Sequence, residues 1–196
     1  MMVVRTAKSS LNQCIGIMNK KLRLLLTLKC PNKCPLCCNN GRGFEELPIV
    51  DRWDYDEIML TGGEPLMFPR STEAIIRTIQ NIQILQGIEN SKMYVYTAIA
   101  DRKVFLPVLD KVDGIVFTPH KKSDIKQFLD LNKVLLANPE MTKDKSLRLN
   151  LFEDMKKLIP QKTNLSLWQI KDIEWVKDCP VPQGEDFRRI AHFTEE

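Results

Sequence analysis

What most constrains this chain is the order in which its apolar runs recur. Short β-favouring runs lie at residues 22–28 (LRLLLTL), 58–61 (IMLT), 93–99 (MYVYTAI), 114–118 (GIVFT), 147–152 (LRLNLF) and 165–170 (LSLWQI). Runs this short and this apolar suit strands buried on both faces, as in parallel sheets. Between them the period changes to that of a helix. Residues 71–86 place Ile75, Ile79 and Ile82 on one face, and Gly87 follows as a stop. Residues 101–112 can start at Asp101, although Pro107 predicts a kink or a shorter helix. Residues 123–131 can be capped by Ser123, with Ile125, Phe128 and Leu129 facing inward. The run 134–136 reads equally as helix or brief strand, and 153–158 as a short helix stopped by Pro160.

Strand and helix in alternation imply βαβ units and a parallel sheet. Six strands within 196 residues are too few for a closed eight-stranded barrel, which typically takes about 250 residues. The expected architecture is therefore α/β, a partial, open (βα)6 TIM-like barrel over residues 21–172. Residues 1–20 read as an N-terminal extension and 173–196 as a C-terminal tail. In such architectures chemistry sits where strands end. Functional motifs are thus expected at the C-terminal ends of the runs.

Composition narrows the class. Lys and Arg number 29 against 25 Asp and Glu, a net charge of +4, and the basic residues are scattered rather than gathered into the stripe that a nucleic-acid binder uses. No apolar run approaches the ~20 residues of a membrane span. The first residues show no apolar signal core, so a cytoplasmic protein is expected. Six cysteines stand at 14, 30, 34, 37, 38 and 179, and four of them fall within nine residues. Such a local cluster in a cytosolic chain reads as metal-binding or redox-active rather than as a disulfide framework.

The first run leads directly into Cys30-Pro-Asn-Lys-Cys34-Pro-Leu-Cys37, spaced C-x3-C-x2-C. Thiolates so spaced can converge on one centre without closing a long loop. Three are one short of the four that complete a structural zinc site or an ordinary [4Fe–4S] cluster. A cluster held by three leaves one iron open to a ligand that is not protein. Cys38 leaves two alternatives open: it is a possible fourth ligand for zinc, or a member of a Cys30, Cys34, Cys38 triple. Cys14 and Cys179 look isolated.

The second run ends in Leu60-Thr61-Gly62-Gly63-Glu64-Pro65. Two glycines remove side chains where a ligand must approach the backbone. Glu64 adds a carboxylate, and Pro65 fixes the turn into the following helix. With the cysteine motif before it, this segment resembles the signature of the radical S-adenosylmethionine superfamily, whose members carry C-x3-C-x2-C after a first strand and GGEP after a second. The resemblance implies Cys37 as the third ligand. It implies one [4Fe–4S] cluster on Cys30, Cys34 and Cys37, and S-adenosyl-L-methionine as the second cofactor, with the segment from Thr61 to Pro65 receiving its amino group through charge-assisted hydrogen bonds. The implied reaction is reductive cleavage to a 5′-deoxyadenosyl radical, which abstracts hydrogen from a substrate. An electron donor such as a flavodoxin or ferredoxin is implied, and the mild positive charge suits an acidic one.

The resemblance spans residues 22–170, but its specific motifs occupy only 30–37 and 61–65. Leu36 stands where the family often has an aromatic residue, and its backbone can still face adenine. Thr97-Ala98-Ile99 replaces a frequent Thr-Asn-Gly, so Thr97 remains as a contact while an Asn to the ribose is missing. Residues 39–55 form no clean helix and are expected as an irregular loop bordering the substrate.

At the fourth run's end, Thr118 and His120 are candidates for cofactor or substrate contact; Thr118-Pro119-His120 loosely resembles the Ser-Pro-Lys of 7-carboxy-7-deazaguanine synthases. The Asp-x-Lys of glycyl-radical activating enzymes is lacking. In the fifth run Arg148 and Asn150 alternate with leucines and share one face. If that face is the barrel interior, they reach the cofactor's carboxylate or ribose. Gln169 is a weaker candidate of the same kind, and Trp53, Trp168 and Trp175 read as packing residues. The substrate, a small molecule or a partner protein, is not written in the sequence. The competing class is a non-catalytic zinc or iron–sulfur binding module.

Overall fold

The computed structural model describes residues 20–37, 39–40, 43–176 and 181–196. Cys14, Cys38 and Cys179 fall outside them, as does nearly all of the expected N-terminal extension. The elements run β1 (Lys21–Leu25), β2 (Glu57–Thr61), α1 (Pro69–Leu85), β3 (Lys92–Thr97), α2 (Arg102–Lys111), β4 (Gly114–Phe117), α3 (Lys122–Ala137), β5 (Ser146–Leu151), α4 (Glu153–Lys156), β6 (Gln169–Asp172) and β7 (Glu185–Arg189). All strands pair in parallel, in the order β6-β5-β4-β3-β2-β1-β7. The result is an open, barrel-like α/β sheet whose two edge strands do not pair with each other. No helix among the described residues is long and apolar enough to cross a membrane.

Strand alternation sorts the side chains. Leu22 and Leu24, Ile58 and Leu60, Met93 and Val95, Ile115 and Phe117, and Leu147, Leu149 and Leu151 join the core with Ile76 and Ile79 of α1, Phe105 and Val108 of α2, and Phe128 and Leu131 of α3. The other face is also covered: Leu25, Met59, Tyr94 and Val116 are buried there. Both faces being dry is why these strands read as nearly continuous apolar runs.

Three expectations are corrected. The sheet has seven strands, not six. The seventh, Glu185–Arg189, arises inside the expected tail and lies against β1. Its sequence EDFRR has no apolar run, and polar pairs hold it instead: Arg23 with Glu185 at 2.7 Å, the Tyr55 hydroxyl donating to Asp186 at 2.6 Å, and Arg189 with Glu45 at 2.5 Å. Second, β6 begins at Gln169 rather than 165. Trp168 is drawn into the core, where its indole donates to Asn132 at 2.9 Å and packs on Phe128, so the segment before it turns. Third, α3 continues to Ala137 with Leu135 buried, which makes 134–136 helix. Its first turn is capped not by Ser123 but by the Asp124 carboxylate, which accepts from the Lys121 and His120 amides at 3.1 and 3.0 Å.

Two local expectations stand. Asp101 caps α2 by accepting from the Lys103 amide at 2.9 Å, and the helix then runs through Pro107, its buried Phe105, Val108 and Leu109 outweighing one absent hydrogen bond. Gly87 ends α1 at φ +64°, with Ile88 N–H reaching Gln83 O at 2.9 Å.

Candidate functional site at the strand ends

The ends of β1 and β2 are built against each other. Beyond β1 the chain runs through Thr27 and Lys29 into the cysteine loop. Gly63 N–H donates to Thr27 O at 2.6 Å, and Glu64 N–H to Lys29 O at 2.8 Å. A Cβ on Gly63 would overlap the Lys29 carbonyl; one on Gly62, which has φ +128°, would come within 2.5 Å of Thr27 O. The two glycines therefore admit the stem of the cysteine loop. The close approach read from sequence is present, and what approaches is this chain's own backbone.

Glu64 is 1% exposed. Its Oε1 accepts from Leu66 N–H at 3.0 Å and from the Thr97 hydroxyl at 2.5 Å, and its Oε2 from Ala98 N–H at 2.8 Å. Thr97 shares the helix-facing side with Met93 and Val95, so this hub lies behind the sheet. Burial pushes the Glu64 carboxyl up to about 7; the bonds from Thr97, Ala98 and Leu66 oppose that, and nearby Asp124 adds to it. Pro65 O accepts the Thr72 hydroxyl at 2.7 Å, and Thr61 O accepts Leu26 N–H at 2.9 Å. Thr61, Gly63, Glu64, Pro65 and Thr97 thus each have a protein partner.

The cysteine loop differs. Cys30, Cys34 and Cys37 are half-buried free thiols, and Leu36 stands exposed among them. Loop-internal bonds shape it: Cys37 N–H to Cys34 O at 3.3 Å and Asn40 N–H to Cys37 O at 2.9 Å. Burial, then the neighbouring Cys37 and Cys30 sulfurs, push the Cys34 thiol up to about 11. Cys30 is also raised, chiefly by burial, while the Asn32 N–H and Lys121 pull the other way. The donor set fits a thiolate-held centre, and bringing a cation to such thiols releases their protons. As the loop stands, no three Cys, His, Asp or Glu among the described residues are gathered closely enough to hold a metal ion.

The other candidates separate. Asn150 donates to the Thr118 hydroxyl at 3.3 Å at the ends of β5 and β4, on the face away from the helices. Arg148 shares that face, but its guanidinium lies over the Tyr94 ring at 4.2 Å and near Glu57 at 3.5 Å, toward the N-terminal end of β2 and away from the cysteines. His120 stacks on Trp175, which itself stacks on Phe152 at 4.2 Å. Its Nδ1 is shielded from water without a hydrogen-bond partner, and burial lowers its pKa. Gln169 is exposed on the edge strand.

Sequence reasoning missed Asn32, Lys121 and Glu195. Lys121 donates to Asn32 inside the cysteine loop at 2.9 Å. Glu195 accepts from Thr27 and pairs with Lys29 at 2.6 Å, laying the C-terminal segment along the stem of that loop. There it borders a cleft of about 520 Å³ lined by Leu26, Leu28, Phe44 and Phe193. These are side-chain ties across more than 80 residues, and no local pattern announces them.

No protein-family model matches the chain, and no curated protein matches it. Among solved structures it is similar to a chitinase from Rhizomucor miehei, at 11% identity and a TM-score of 0.38, over 68% of this chain and 47% of that one. The chain thus covers about half the length of that chitinase.

Proposed function

We propose that the chain is a radical S-adenosylmethionine enzyme on a partial TIM-like barrel, extended by β7 to a seventh strand. The observation that carries this reading is that three free thiols, Cys30, Cys34 and Cys37, stand on one loop beyond β1 whose stem, at Thr27 and Lys29, is bonded to the Gly63–Glu64 turn beyond β2. On this reading those three thiolates would hold one [4Fe–4S] cluster, and S-adenosylmethionine would be the second cofactor of the same site. Bound together, the two cofactors supply one-electron reduction and a carbon radical able to abstract hydrogen.

The chain's own residues have separate tasks. The stem from Thr27 to Lys29, seated on Gly62 and Gly63, fixes where the loop begins. Glu64 ties the ends of β2 and β3 into one rigid edge, so the site has a firm floor. Thr118 and Asn150 offer a hydroxyl and an amide on the face away from the helices, open to the cofactor's ribose or to substrate. His120, whose pKa burial lowers, holds a buried Nδ1 without a hydrogen-bond partner behind the strand-end residues. The substrate is a small molecule or a partner protein, the electron donor a flavodoxin or ferredoxin, and the setting the cytoplasm.

The test is anaerobic reconstitution with iron and sulfide, then reduction with S-adenosylmethionine. The reading expects 5′-deoxyadenosine and methionine in the wild type and neither in Cys34→Ser. A wild type that binds zinc under the same conditions, takes up no iron and releases no 5′-deoxyadenosine is a metal-binding module instead.

A further inference from the structure

We infer that Lys121 is a positioning residue for the cysteine loop, acting through Asn32 on the Cys30 sulfur. The inference rests on the reading of that loop as the ligand loop. Asn32 lies between Cys30 and Cys34 and faces two ways. Its backbone N–H points at Cys30 Sγ at 3.4 Å, and its side-chain Oδ1 accepts from Lys121 Nζ at 2.9 Å. Lys121 comes from the N-cap of α3, beyond the end of β4, 89 residues further along the chain.

Lys121 is itself held. Asp124, 4% exposed, accepts from the amides of His120 and Lys121 at 3.0 and 3.1 Å, and its other oxygen lies 3.9 Å from Lys121 Nζ. The route therefore runs from a buried carboxylate to a cation, from the cation to an amide side chain, and from that residue's N–H to one sulfur. No similar tie from outside the loop reaches the other two sulfurs among the described residues; the bonds at Cys34 and Cys37 come from within the loop.

Two consequences follow from general chemistry. Hydrogen bonds to sulfur and nearby positive charge both stabilise the more negative, reduced form of a thiolate-held cluster and so raise its potential. A loop anchored at its first ligand also needs less ordering to close on a metal. Losing the cation loosens Asn32 and removes a charge together. An arginine at 121 keeps both the charge and a donor.

The experiment compares the full chain with Lys121→Met and Lys121→Arg by two readouts. Hydrogen–deuterium exchange without added metal should show faster exchange in the peptide spanning residues 29–37 of Lys121→Met, with Lys121→Arg matching the wild type. After anaerobic reconstitution to equal iron content, a redox titration followed by paramagnetic resonance should place Lys121→Met at a more negative midpoint, again with Lys121→Arg restored. Unchanged exchange in Lys121→Met overturns the positioning role. Faster exchange with coincident midpoints overturns the link to the sulfur. Faster exchange in Lys121→Met together with a wild type that takes up no iron upholds the anchoring of the loop and overturns the reading of it as a cluster ligand.

Discussion

The two motifs that stand out in the sequence behave differently once folded. The turn from Gly63 to Pro65 is bonded to protein at each residue: Glu64 takes three donors, Gly63 and Glu64 donate to the neighbouring stem, and Pro65 accepts a hydroxyl. The cysteine loop is incomplete: its thiols are free, and burial and mutual proximity raise Cys34. One region has its polar groups bonded to protein, and the other presents three thiols held in no disulfide. Such a pairing is what a site for an external group requires, a rigid floor beside unsaturated donors.

Stability should divide along the same line. Glu64→Ala leaves the Leu66 and Ala98 amides and the Thr97 hydroxyl buried without an acceptor and is expected to cost about 3–5 kcal/mol, since each such group costs roughly 1–3. Cys34→Ser should stay within about 0.5 kcal/mol of wild type in the metal-free chain, as for a surface substitution. Equal losses in urea unfolding would erase the contrast. Gly63→Ala, whose Cβ meets the Lys29 backbone rather than a flexible side chain, should cost about 3 kcal/mol or more. A fully stable Gly63→Ala would show that the stem does not rest on this turn.

The Glu64 carboxyl also sharpens the contrast through pH. Its folded value of about 7 lies above the ordinary 4.5, so the folded chain keeps a proton that the unfolded chain releases between them. Its contribution is complete below about pH 4.5 and is lost as pH rises to about 7, by roughly 3 kcal/mol, with no further change above. Urea unfolding across that range should show this fall in the wild type and not in Glu64→Gln. A smaller effect concerns Arg148. Arg148→Met removes a ring contact and a partly exposed ion pair, and should cost about 1 kcal/mol without altering metal uptake. Loss of metal uptake would place Arg148 in the site after all.

The same division explains what could be read in advance. Strand and helix alternation was legible because β1 to β5 are buried on both faces and so carry uninterrupted apolar runs. β7 was not, because an edge strand whose described ties include the Arg23–Glu185 and Tyr55–Asp186 contacts carries no apolar run. The two motifs of the proposed site stand out as local strings. Register does not: only the fold shows that Arg148 and Asn150 share the face away from the helices, that Arg148 then leans away from the cysteines, and that Thr97 faces the opposite side. The roles of Asn32, Lys121 and Glu195 come from contacts between distant segments.

The most direct test of the central contrast is paramagnetic resonance of the full chain, reconstituted anaerobically with iron and sulfide and then reduced. The account expects the signal of a reduced [4Fe–4S] cluster, changed in shape when S-adenosylmethionine is added, and no such signal in Cys34→Ser. A wild-type signal indifferent to S-adenosylmethionine, or no cluster in a folded wild type, would contradict it.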